Sequence, residues 1–296
     1  MKVAITGATG FVGSRLVEKL LARGDEVVVF TRNPAVAQKL AATKIVQYRP
    51  LESGDWQAEI SGCDAVVNLA GEPIAEKRWT AEQKKIILES RKVGTQKIVE
   101  AIQKAAAPPQ VLINASAIGF YGISDTAKFD ESSPAGNDFL AEVCREWETA
   151  AQQTTARLVM LRLGVILGNG GALAKMIPAF KMFVGGPIGS GDQWFSWIHL
   201  DDVVGMILAA LDDQTMSGVF NATAPQPVSM KELCQQLGEV MARPSWMPVP
   251  SFVLEAMLGD GATVVLEGQQ VLPAAALSRG FSFQYPEIKG ALRSIV

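Results

Sequence analysis

Residues 1–13, MKVAITGATGFVG, place a short apolar strand directly before a glycine-rich turn, and an amphipathic segment, Ser14 to Leu21, follows at once. Gly7 permits a tight turn, Gly10 lets the backbone approach a pyrophosphate, and Gly13 lets the helix pack closely on its strand. The free N–H groups at the helix start then face the phosphates. In this context the motif predicts a dinucleotide-binding turn, and an ordinary glycine-rich turn is the alternative.

The end of the next strand, Glu26 to Phe30, indicates which dinucleotide is bound. A cofactor without a 2′-phosphate usually meets an Asp or Glu there, but this chain continues with Thr31 and Arg32. The guanidinium fork of Arg suits bidentate contact with a phosphate. The sequence therefore predicts NADP(H) rather than NAD(H), the alternative being that Arg32 is a solvated residue at a strand exit.

Composition narrows the class of protein. With 296 residues, 48% of them hydrophobic and 19% charged, the chain is globular. A net charge of −3 gives no electrostatic footprint for nucleic acid or an anionic membrane, so we expect small molecules or proteins as partners. The three cysteines, Cys63, Cys144 and Cys234, fit neither a disulfide framework nor a metal site.

The start of the chain bears on its location. Met1 leads straight into the first strand, which leaves no room for a signal or transit peptide. The apolar segments are too short or too interrupted to span a bilayer. We expect a cytoplasmic protein, or one of the plastid stroma if the chain is a mature organellar form.

Strand-like and helix-like segments alternate along the first half of the chain, the pattern of a parallel sheet covered on both faces. The predicted strands are Lys2 to Thr6, Glu26 to Phe30, Ile45 to Tyr48, Ala65 to Leu69, Val111 to Ser116 and Leu158 to Arg162. The predicted helices are Gly13 to Leu21, part of Trp79 to Ala106, and Phe139 to Thr149. We predict an α/β fold with a doubly wound parallel sheet.

Two glycine-rich runs, residues 167–171 and 185–191, suggest close backbone approach to a ligand. Residues 1–165, completed by about 197–225, are expected to form the dinucleotide-binding domain. Residues 166–196 and 226–296 are expected to form a smaller lobe that closes over the cofactor, because ligands of such sheets sit outside the carboxyl ends of the strands.

Several separated motifs resemble those of the extended short-chain dehydrogenase/reductases, in the nucleoside-diphosphate-sugar epimerase/dehydratase branch. They are TGATGFVG at 6–13, NLAG at 68–71, VGT at 93–95, Ser116 with Tyr121-Gly122, and WIHLDD at 197–202. The tail motifs at 266–273 and 280–286 are similar to a subgroup called epimerase family proteins. Some members of that subgroup are labelled cell-division inhibitors, and a plant relative is linked to plastid division. The resemblance implies a Rossmann fold.

The glycine motif and the resemblance together predict the cofactor site. Its expected members are Gly7, Thr9, Gly10, Phe11, Val12, Gly13, Thr31, Arg32, Leu69, Ala70, Arg91 and Val165. Arg91 replaces an expected Asn, and as a charge-assisted donor it is interpreted as a cofactor contact, with a helix-surface salt bridge as the alternative. The resemblance also implies a homodimer through the helices near Trp79 to Ala106 and Phe139 to Thr149.

The catalytic motif of the superfamily departs from its usual form. In relatives a Tyr and a Lys four residues later share one helix face, and the Lys lowers the phenol pKa so that the Tyr moves a proton as hydride travels. Counting back from Glu148 puts Leu140 and Cys144 at those positions, and a shift by one residue gives Phe139 and Val143. Neither register restores the pair.

Of the usual tetrad only Ser116 remains, and Tyr121 is the one nearby phenol. These two are the predicted catalytic residues, although Tyr121 also fits a packing role at a strand exit. His199 is the only histidine, and it is more readily explained as a hydrogen-bonded structural group than as a general base. Asp201 and Asp202 are interpreted first as caps of the following helix.

Two functions therefore stay open. One is an NADP(H)-dependent oxidoreductase or epimerase of unknown small-molecule substrate, with a rearranged proton path. The other is a protein without catalysis that binds NADPH, changes its lobe closure and acts through a protein partner, in cell or plastid division. Fold alone does not decide between them.

Overall fold

The computed structural model describes residues 1–296, and a seven-stranded parallel sheet lies at its centre. The strands are β1 Lys2–Thr6, β2 Glu26–Thr31, β3 Lys44–Gln47, β4 Ala65–Asn68, β5 Val111–Ala117, β6 Lys128–Phe129, β7 Arg157–Leu163, β8 Val165–Gly168, β9 Trp194–Phe195, β10 Trp197–His199, β11 Gly218–Ala222, β12 Val228–Ser229 and β13 Gln270–Val271.

Eleven α-helices accompany these strands. They are α1 Phe11–Ala22, α2 Pro34–Ala37, α3 Ala81–Lys104, α4 Phe139–Ala151, α5 Gly171–Lys181, α6 Leu200–Asp212, α7 Met230–Met241, α8 Ser251–Leu258, α9 Thr263–Leu266, α10 Ala274–Ser278 and α11 Ile288–Ile295. Short 3₁₀ turns occupy Gln38–Leu40, Asp55–Ile60, Ile118–Tyr121 and Gly259–Ala262.

The strand order in the central sheet is β3-β2-β1-β4-β5-β7-β11. The chain winds from β1 outward to β3, returns to the centre of the sheet, and then winds the other way from β4 to β11. The topological switch point therefore lies between the neighbouring strands β1 and β4. The predicted doubly wound α/β fold is confirmed. The ligand crevice of such a sheet lies outside the carboxyl ends of its strands at that point.

Both faces of the central strands are buried, which explains their nearly continuous apolar sequences. Val3 and Ile5 of β1 point into a core shared with α1 and α6, whereas Ala4 points into a second core that contains Phe30 and Ile98. The alternation follows from the two-residue period of a strand.

A separate hydrophobic cluster lies in the second half of the chain. It joins α5, α7 and α11 through Phe180, Leu237 and Leu292, and it includes the fully buried Trp197. The two-stranded pairings β8 with β10 and β9 with β12 flank this cluster. The division into residues 1–165 with 197–225, and a smaller lobe from 166–196 and 226–296, stays a prediction, and the cluster itself also includes Trp197 and Ala224.

No helix is both long and apolar enough to cross a membrane. The three cysteines are free and buried. No group of three His, Cys, Asp or Glu side chains is arranged to hold a metal ion.

Candidate functional site

The turn between β1 and α1 requires its glycines. Gly7 has a φ of +70°, and a Cβ there would lie 2.8 Å from the carbonyl carbon of Leu69. A Cβ on Gly13 would lie 2.3 Å from the carbonyl oxygen of Gly7. Both neighbours are backbone atoms, so they cannot move aside as the end of a flexible side chain would. The turn therefore tolerates no side chain at either position.

The start of α1 is open to an anion. Gly10 occupies the N-cap position without any side chain capping the helix, and the first turn contains no acidic residue. The backbone N–H groups of Phe11, Val12 and Gly13 have no hydrogen-bond partner within the protein. Thr9 and Gly10 are exposed at the surface of this turn. Unpaired N–H groups and the positive end of the helix dipole together form an anion-binding site.

The glycine-rich runs of the second half pack against protein atoms. A Cβ on Gly168 would lie 2.8 Å from the Phe11 ring, and one on Gly170 would lie 2.9 Å from it. In the later run, a Cβ on Gly186 would lie 2.2 Å from the Met247 carbonyl oxygen. These glycines make room for the protein itself, which differs from the expected approach to a ligand, and Phe11 thereby ties the cofactor turn to the loop after β8.

Arg32, directly after β2, is a cation without an ion-pair partner in the protein. The Thr31 hydroxyl accepts the N–H of Asn33 at 3.2 Å, which shapes the turn into α2. Arg32 is exposed and makes no ion pair within the protein. Burial raises the pKa of Tyr48 to about 12, and the Arg32 charge opposes part of that rise. Arg32 therefore lies at the carboxyl edge of the sheet, directly after β2.

Polar side chains connect the carboxyl ends of three strands to α3. The Thr6 hydroxyl donates to Asn68 Oδ1 at 2.6 Å, and Asn68 Nδ2 donates to Thr95 Oγ1 at 3.0 Å and to Asn114 Oδ1 at 2.7 Å. All four residues are buried. This closed network fixes the path of the backbone into Leu69 and Ala70, which lies against the Gly7 turn.

Arg91 on α3 has no carboxylate partner. Its guanidinium donates to the carbonyl oxygens of Glu72 at 3.0 Å and Ile87 at 3.2 Å, and it stacks over the Trp147 ring at 5.1 Å. A Cβ on Gly71 would lie 3.1 Å from its Cζ atom. Burial lowers the Arg91 pKa, yet the group stays a cation. The helix-surface salt bridge offered as the alternative is therefore not formed.

The first two turns of the α4 face that points to the end of β5 are apolar. A Cβ on Gly119 would meet Leu140 Cβ at 3.1 Å and Cys144 Sγ at 3.9 Å, so both side chains face the segment that follows β5. The whole helix, FLAEVCREWETAA, contains neither Tyr nor Lys. Burial, with a smaller contribution from Glu148, raises the pKa of the Cys144 thiol to about 12. Cys144 is therefore an inert, protonated thiol at neutral pH.

The two predicted catalytic residues belong to one buried network. The Ser116 hydroxyl donates to Glu148 Oε1 at 2.6 Å, and the Glu148 carboxylate accepts two N–H groups of Arg162, each at 2.8 Å. A further Arg162 N–H donates to the Tyr121 hydroxyl at 2.9 Å, and that hydroxyl donates to Asn221 Oδ1 at 2.7 Å. All five residues are buried.

Both hydroxyls are thus engaged within the protein. Tyr121 also stacks on Phe129 at 5.3 Å, and burial raises its pKa above the ordinary value. Arg162 and Asn221 are functional members of this network that the sequence reasoning missed. The available signal was Arg162 within the apolar run that follows Arg157 in β7, and Asn221 within β11, since such groups are buried only when paired.

His199 and Asp202 attach the tail of the chain to the start of α6, whereas Asp201 joins α6 to α1. His199 Nδ1 accepts the N–H of Asp201 at 3.1 Å and caps α6, while its Nε2 meets the Ser294 hydroxyl at 3.2 Å. Asp201 pairs with Arg15 at 2.7 Å. Asp202 accepts two backbone N–H groups from the tail, at Gln284 and Tyr285. The structural interpretation of His199 is confirmed, and Asp202 anchors the tail.

Comparison with known proteins places this geometry in a family. A family model described as "NAD dependent epimerase/dehydratase family" matches residues 3–222, and a "Domain of unknown function (DUF1731)" matches residues 249–295. The chain is 52% identical over 302 residues to "Epimerase family protein SDR39U1 homolog, chloroplastic" of Arabidopsis thaliana, covering 100% of this chain and 87% of that protein. It is 39% identical over 300 residues to "Epimerase family protein YfhF" of Bacillus subtilis, covering 100% and 98%.

A solved structure has the same fold over the full length. The human epimerase family protein SDR39U1 (isoform 2), crystallised with NADPH, superposes with a TM-score of 0.90 at 37% identity, covering 100% of this chain and 99% of that one. The similarity therefore extends through both the sheet and the tail.

Proposed function

Since the chain belongs to the NAD dependent epimerase/dehydratase family, we propose that it binds NADP(H) through the β1–α1 turn and the ends of β2 and β4. The observation that carries this proposal is the start of α1, where three unpaired N–H groups follow glycines that cannot be replaced. Such a turn fits a pyrophosphate, because the N–H groups donate to it and no Cβ blocks its approach. The bound dinucleotide would supply the hydride chemistry, and these residues bind and orient it.

Arg32 supports the choice of NADP(H) over NAD(H). Its guanidinium is exposed and without an ion pair, and the end of β2, where the adenosine half is expected, carries Thr31 and Arg32 and no acidic residue. The Thr31 hydroxyl is used within the turn, so Arg32 carries the proposed 2′-phosphate contact. The human relative bound to NADPH agrees with this preference.

Arg91 is proposed to contact the nicotinamide half of the cofactor. Its charge is not neutralised by any carboxylate, and its position beside Gly71 lies at the end of β4. A cation without a carboxylate partner favours a negatively charged or carbonyl group of the ligand. Val165, half-buried at the start of β8, and Leu69 and Ala70 are proposed to line the same side.

The cofactor proposal is tested by comparing NADPH and NADH binding to the wild type and to Arg32→Glu. We expect NADPH affinity to fall by roughly 10- to 100-fold, since a charge-assisted contact worth about 1.5–3 kcal/mol is replaced by repulsion, and NADH affinity to change little. Arg293→Glu, at an exposed position of α11, makes the same charge change elsewhere and serves as the control. Equal losses for the two nucleotides would contradict the assignment of Arg32.

Two activities remain candidates for the bound cofactor. The first is an NADP(H)-dependent oxidoreductase or epimerase reaction on an unidentified small molecule, with Ser116 and Tyr121 in the proton path. The second is a cofactor-responsive regulator without catalysis, acting through a protein partner in the cytoplasm or in a plastid. The absence of Tyr and Lys from α4, with Leu140 and Cys144 facing the end of β5, favours the second.

Label transfer distinguishes the two activities. The protein is loaded with NADPH deuterated at nicotinamide C4, mixed with a small-molecule extract, and mass spectrometry searches for protein-dependent deuterium in a metabolite. Transfer that is lost in the Ser116→Ala/Tyr121→Phe variant, with NADPH affinity retained, would support the enzyme and its proton path. Transfer that persists in that variant would contradict the proton path, and tight NADPH binding without any transfer would favour the regulator.

A further inference from the structure

Five large apolar side chains are exposed on the two loops that follow α5 and α7. We name them the lobe patch: Met182, Phe183, Val184, Trp246 and Met247, which are 37–66% exposed. Hydrogen bonds join the two loops, since Trp246 Nε1 donates to the Phe183 carbonyl oxygen at 2.9 Å. The backbone N–H groups of Trp246 and Met247 donate to the Gly185 carbonyl oxygen at 2.9 and 3.1 Å. The two loops therefore present one continuous surface.

The donor groups of the lobe patch are already satisfied within the protein. The N–H groups of Met182, Phe183 and Val184 donate to carbonyl oxygens of α5 at 2.9–3.1 Å, and the Trp246 indole donates to the neighbouring loop. Burying a donor without a partner is unfavourable, whereas burying a satisfied one is not. An apolar surface can therefore cover the lobe patch without leaving any of these N–H groups unpaired.

Phe183 occupies a position that favours glycine. Its N–H donates to Phe180 and that of Val184 donates to Ala179, which is the Schellman pattern that ends a helix. Phe183 has a φ of +63°, a conformation that glycine adopts freely and other residues adopt with strain. Its side chain is nevertheless 54% exposed, so packing within the chain offsets little of that strain. A strained aromatic residue kept at the surface points to a contact with another molecule.

The charges that border the lobe patch are positive. Lys181 and Arg243 adjoin it, and neither makes an ion pair. The Arg243 guanidinium stacks on the Phe183 ring at 4.5 Å, and its Nε is buried without an acceptor. Residues 171–191 and 240–250, which include both loops, contain no Asp or Glu. The surface is therefore complementary to a carboxylate that lies beside apolar side chains.

The composition and size of the lobe patch favour a protein segment over a bilayer. Trp, Phe, Met and Arg are enriched at protein–protein contacts. Electrostatic attraction to an anionic bilayer takes several clustered Lys and Arg residues, but only two border this surface and the chain has a net charge of −3. Half-exposed side chains of roughly 150–250 Å² each give on the order of 500 Å². That area suits one helix or strand of a partner, since a globular partner covers roughly 800 Å².

We propose that the lobe patch binds a short segment of a partner protein in which apolar side chains lie next to Asp or Glu. The apolar side chains of that segment pack on Phe183 and Trp246, and one of its carboxylates accepts hydrogen bonds from Arg243. The surface lies apart from the cofactor turn, because the eleven residues of α5, about 16 Å, separate it from the loop that contacts Phe11. The proposal goes beyond NADP(H) binding and holds for either activity of the bound cofactor.

The first experiment selects ligands for the immobilised full chain from a display library of random peptides of about 15 residues, four turns of a helix. We expect enrichment of peptides with Leu, Phe or Trp beside Asp or Glu on the wild type but not on Trp246→Ala. Phe252→Ala is the matched control, since Phe252 is equally exposed, at 68% against 61%, but lies on α8. This control should select the same peptides as the wild type.

Two results of this selection would overturn the proposal. One is that the wild type and Trp246→Ala enrich the same peptides. The other is that no acidic and apolar peptide is enriched, while vesicles of phosphatidylglycerol and phosphatidylcholine sediment with the wild type and not with Trp246→Ala, which would assign the surface to a bilayer.

The second experiment separates a binding role of Phe183 from a structural one. Phe183→Gly places glycine in the left-handed position, so its urea midpoint should equal or exceed that of the wild type. The most enriched peptide should nevertheless bind Phe183→Gly about tenfold more weakly, because an aromatic contact is lost. A variant that loses stability and binds the peptide as well as the wild type does would show that the ring serves the fold, against the proposal.

The third experiment exchanges the charges. Arg243→Glu should weaken binding of the selected peptide about tenfold or more, and a peptide with Lys in place of its acidic residues should bind this variant better than the original peptide does. Arg49→Glu, at an 80% exposed side chain near β3, is the control and should bind as the wild type does. Unchanged binding by Arg243→Glu would contradict the carboxylate contact. NADPH affinity should be the same in all these variants, so this proposal and the cofactor proposal fail separately.

Discussion

Two regions at the carboxyl edge of the sheet use their polar groups in opposite ways. At the β1–α1 turn, three backbone N–H groups and the Arg32 guanidinium have no partner within the protein. At the β5–α4 region, Ser116, Tyr121 and the Glu148–Arg162 ion pair satisfy one another completely. Free donors indicate a surface built for a ligand, whereas satisfied buried groups stabilise the fold. The comparison therefore separates cofactor binding from the chemistry that usually accompanies it.

The difference has a physical basis in the residues of α4. Leu140 and Cys144 leave the first two turns of that helix face without any acid or base, and the hydroxyl of Ser116 donates instead to Glu148, one turn further along α4. Glu148 in turn neutralises Arg162, which would otherwise be a lone charge in the core. A family member can thus keep its cofactor turn while its β5–α4 region becomes part of the hydrophobic and ionic core.

The largest effect is expected from Glu148→Leu. Removing one partner of a buried ion pair costs about 3–5 kcal/mol of unfolding free energy, because Arg162 is left as an uncompensated charge. Urea unfolding measures this loss. Glu148→Leu/Arg162→Met, which removes both charges, should recover most of the stability. If the single variant were as stable as the wild type, the buried network of the β5–α4 region would not stabilise the fold.

Gly13→Ala should affect the β1–α1 turn, which binds the cofactor. Its Cβ would collide with the Gly7 carbonyl oxygen, so the turn must open, at about 1–3 kcal/mol of stability and with at least a tenfold loss of NADPH affinity. NADPH titration and urea unfolding measure the two losses. Gly290→Ala is the control, because nothing lies within 4 Å of its Cβ and its helix should gain up to about 1 kcal/mol. Unchanged NADPH affinity in Gly13→Ala would contradict the role of the β1–α1 turn in cofactor binding.

The smallest effect concerns pH and the anchoring of the lobe. Burial lowers the His199 pKa below its ordinary value of 6.5, so the folded protein keeps this ring neutral. As pH falls below about 6.5, His199 is protonated in the unfolded chain but stays neutral in the folded protein. The free energy of unfolding therefore declines with falling pH until the pH is below the lower pKa of the folded state. Asn is among the preferred N-cap residues of helices, so the His199→Asn variant should keep the cap of α6 and fold.

We therefore expect the wild type to lose up to about 1 kcal/mol more than His199→Asn between roughly pH 7.5 and pH 5.5. Urea unfolding at the two pH values gives the difference. An identical pH dependence in both proteins would show that His199 does not titrate with folding.

Much of the fold could be predicted because local patterns determined it. The six predicted strands recur in the structure within a residue or two at their ends, and α1 begins at Phe11 instead of Gly13 because Gly10 acts as its N-cap. Strand β11 was not named among the strands, since Gly218 to Ala222 is short and carries Asn221. Its role depends on Tyr121, a hundred residues away, which no local pattern reveals.

The cofactor turn could be predicted from the sequence because local geometry already requires its glycines: Gly7 has a positive φ, and a Cβ on Gly13 would collide with the carbonyl oxygen of Gly7. Steric limits on the backbone act locally, so a motif of eight residues carries them. The partners of Ser116, Tyr121 and Arg91 were decided only by tertiary structure. Those contacts join different strands and helices. Whether a polar group is free for a ligand or is hydrogen-bonded within the protein depends on which sequence-distant elements the tertiary structure packs against it.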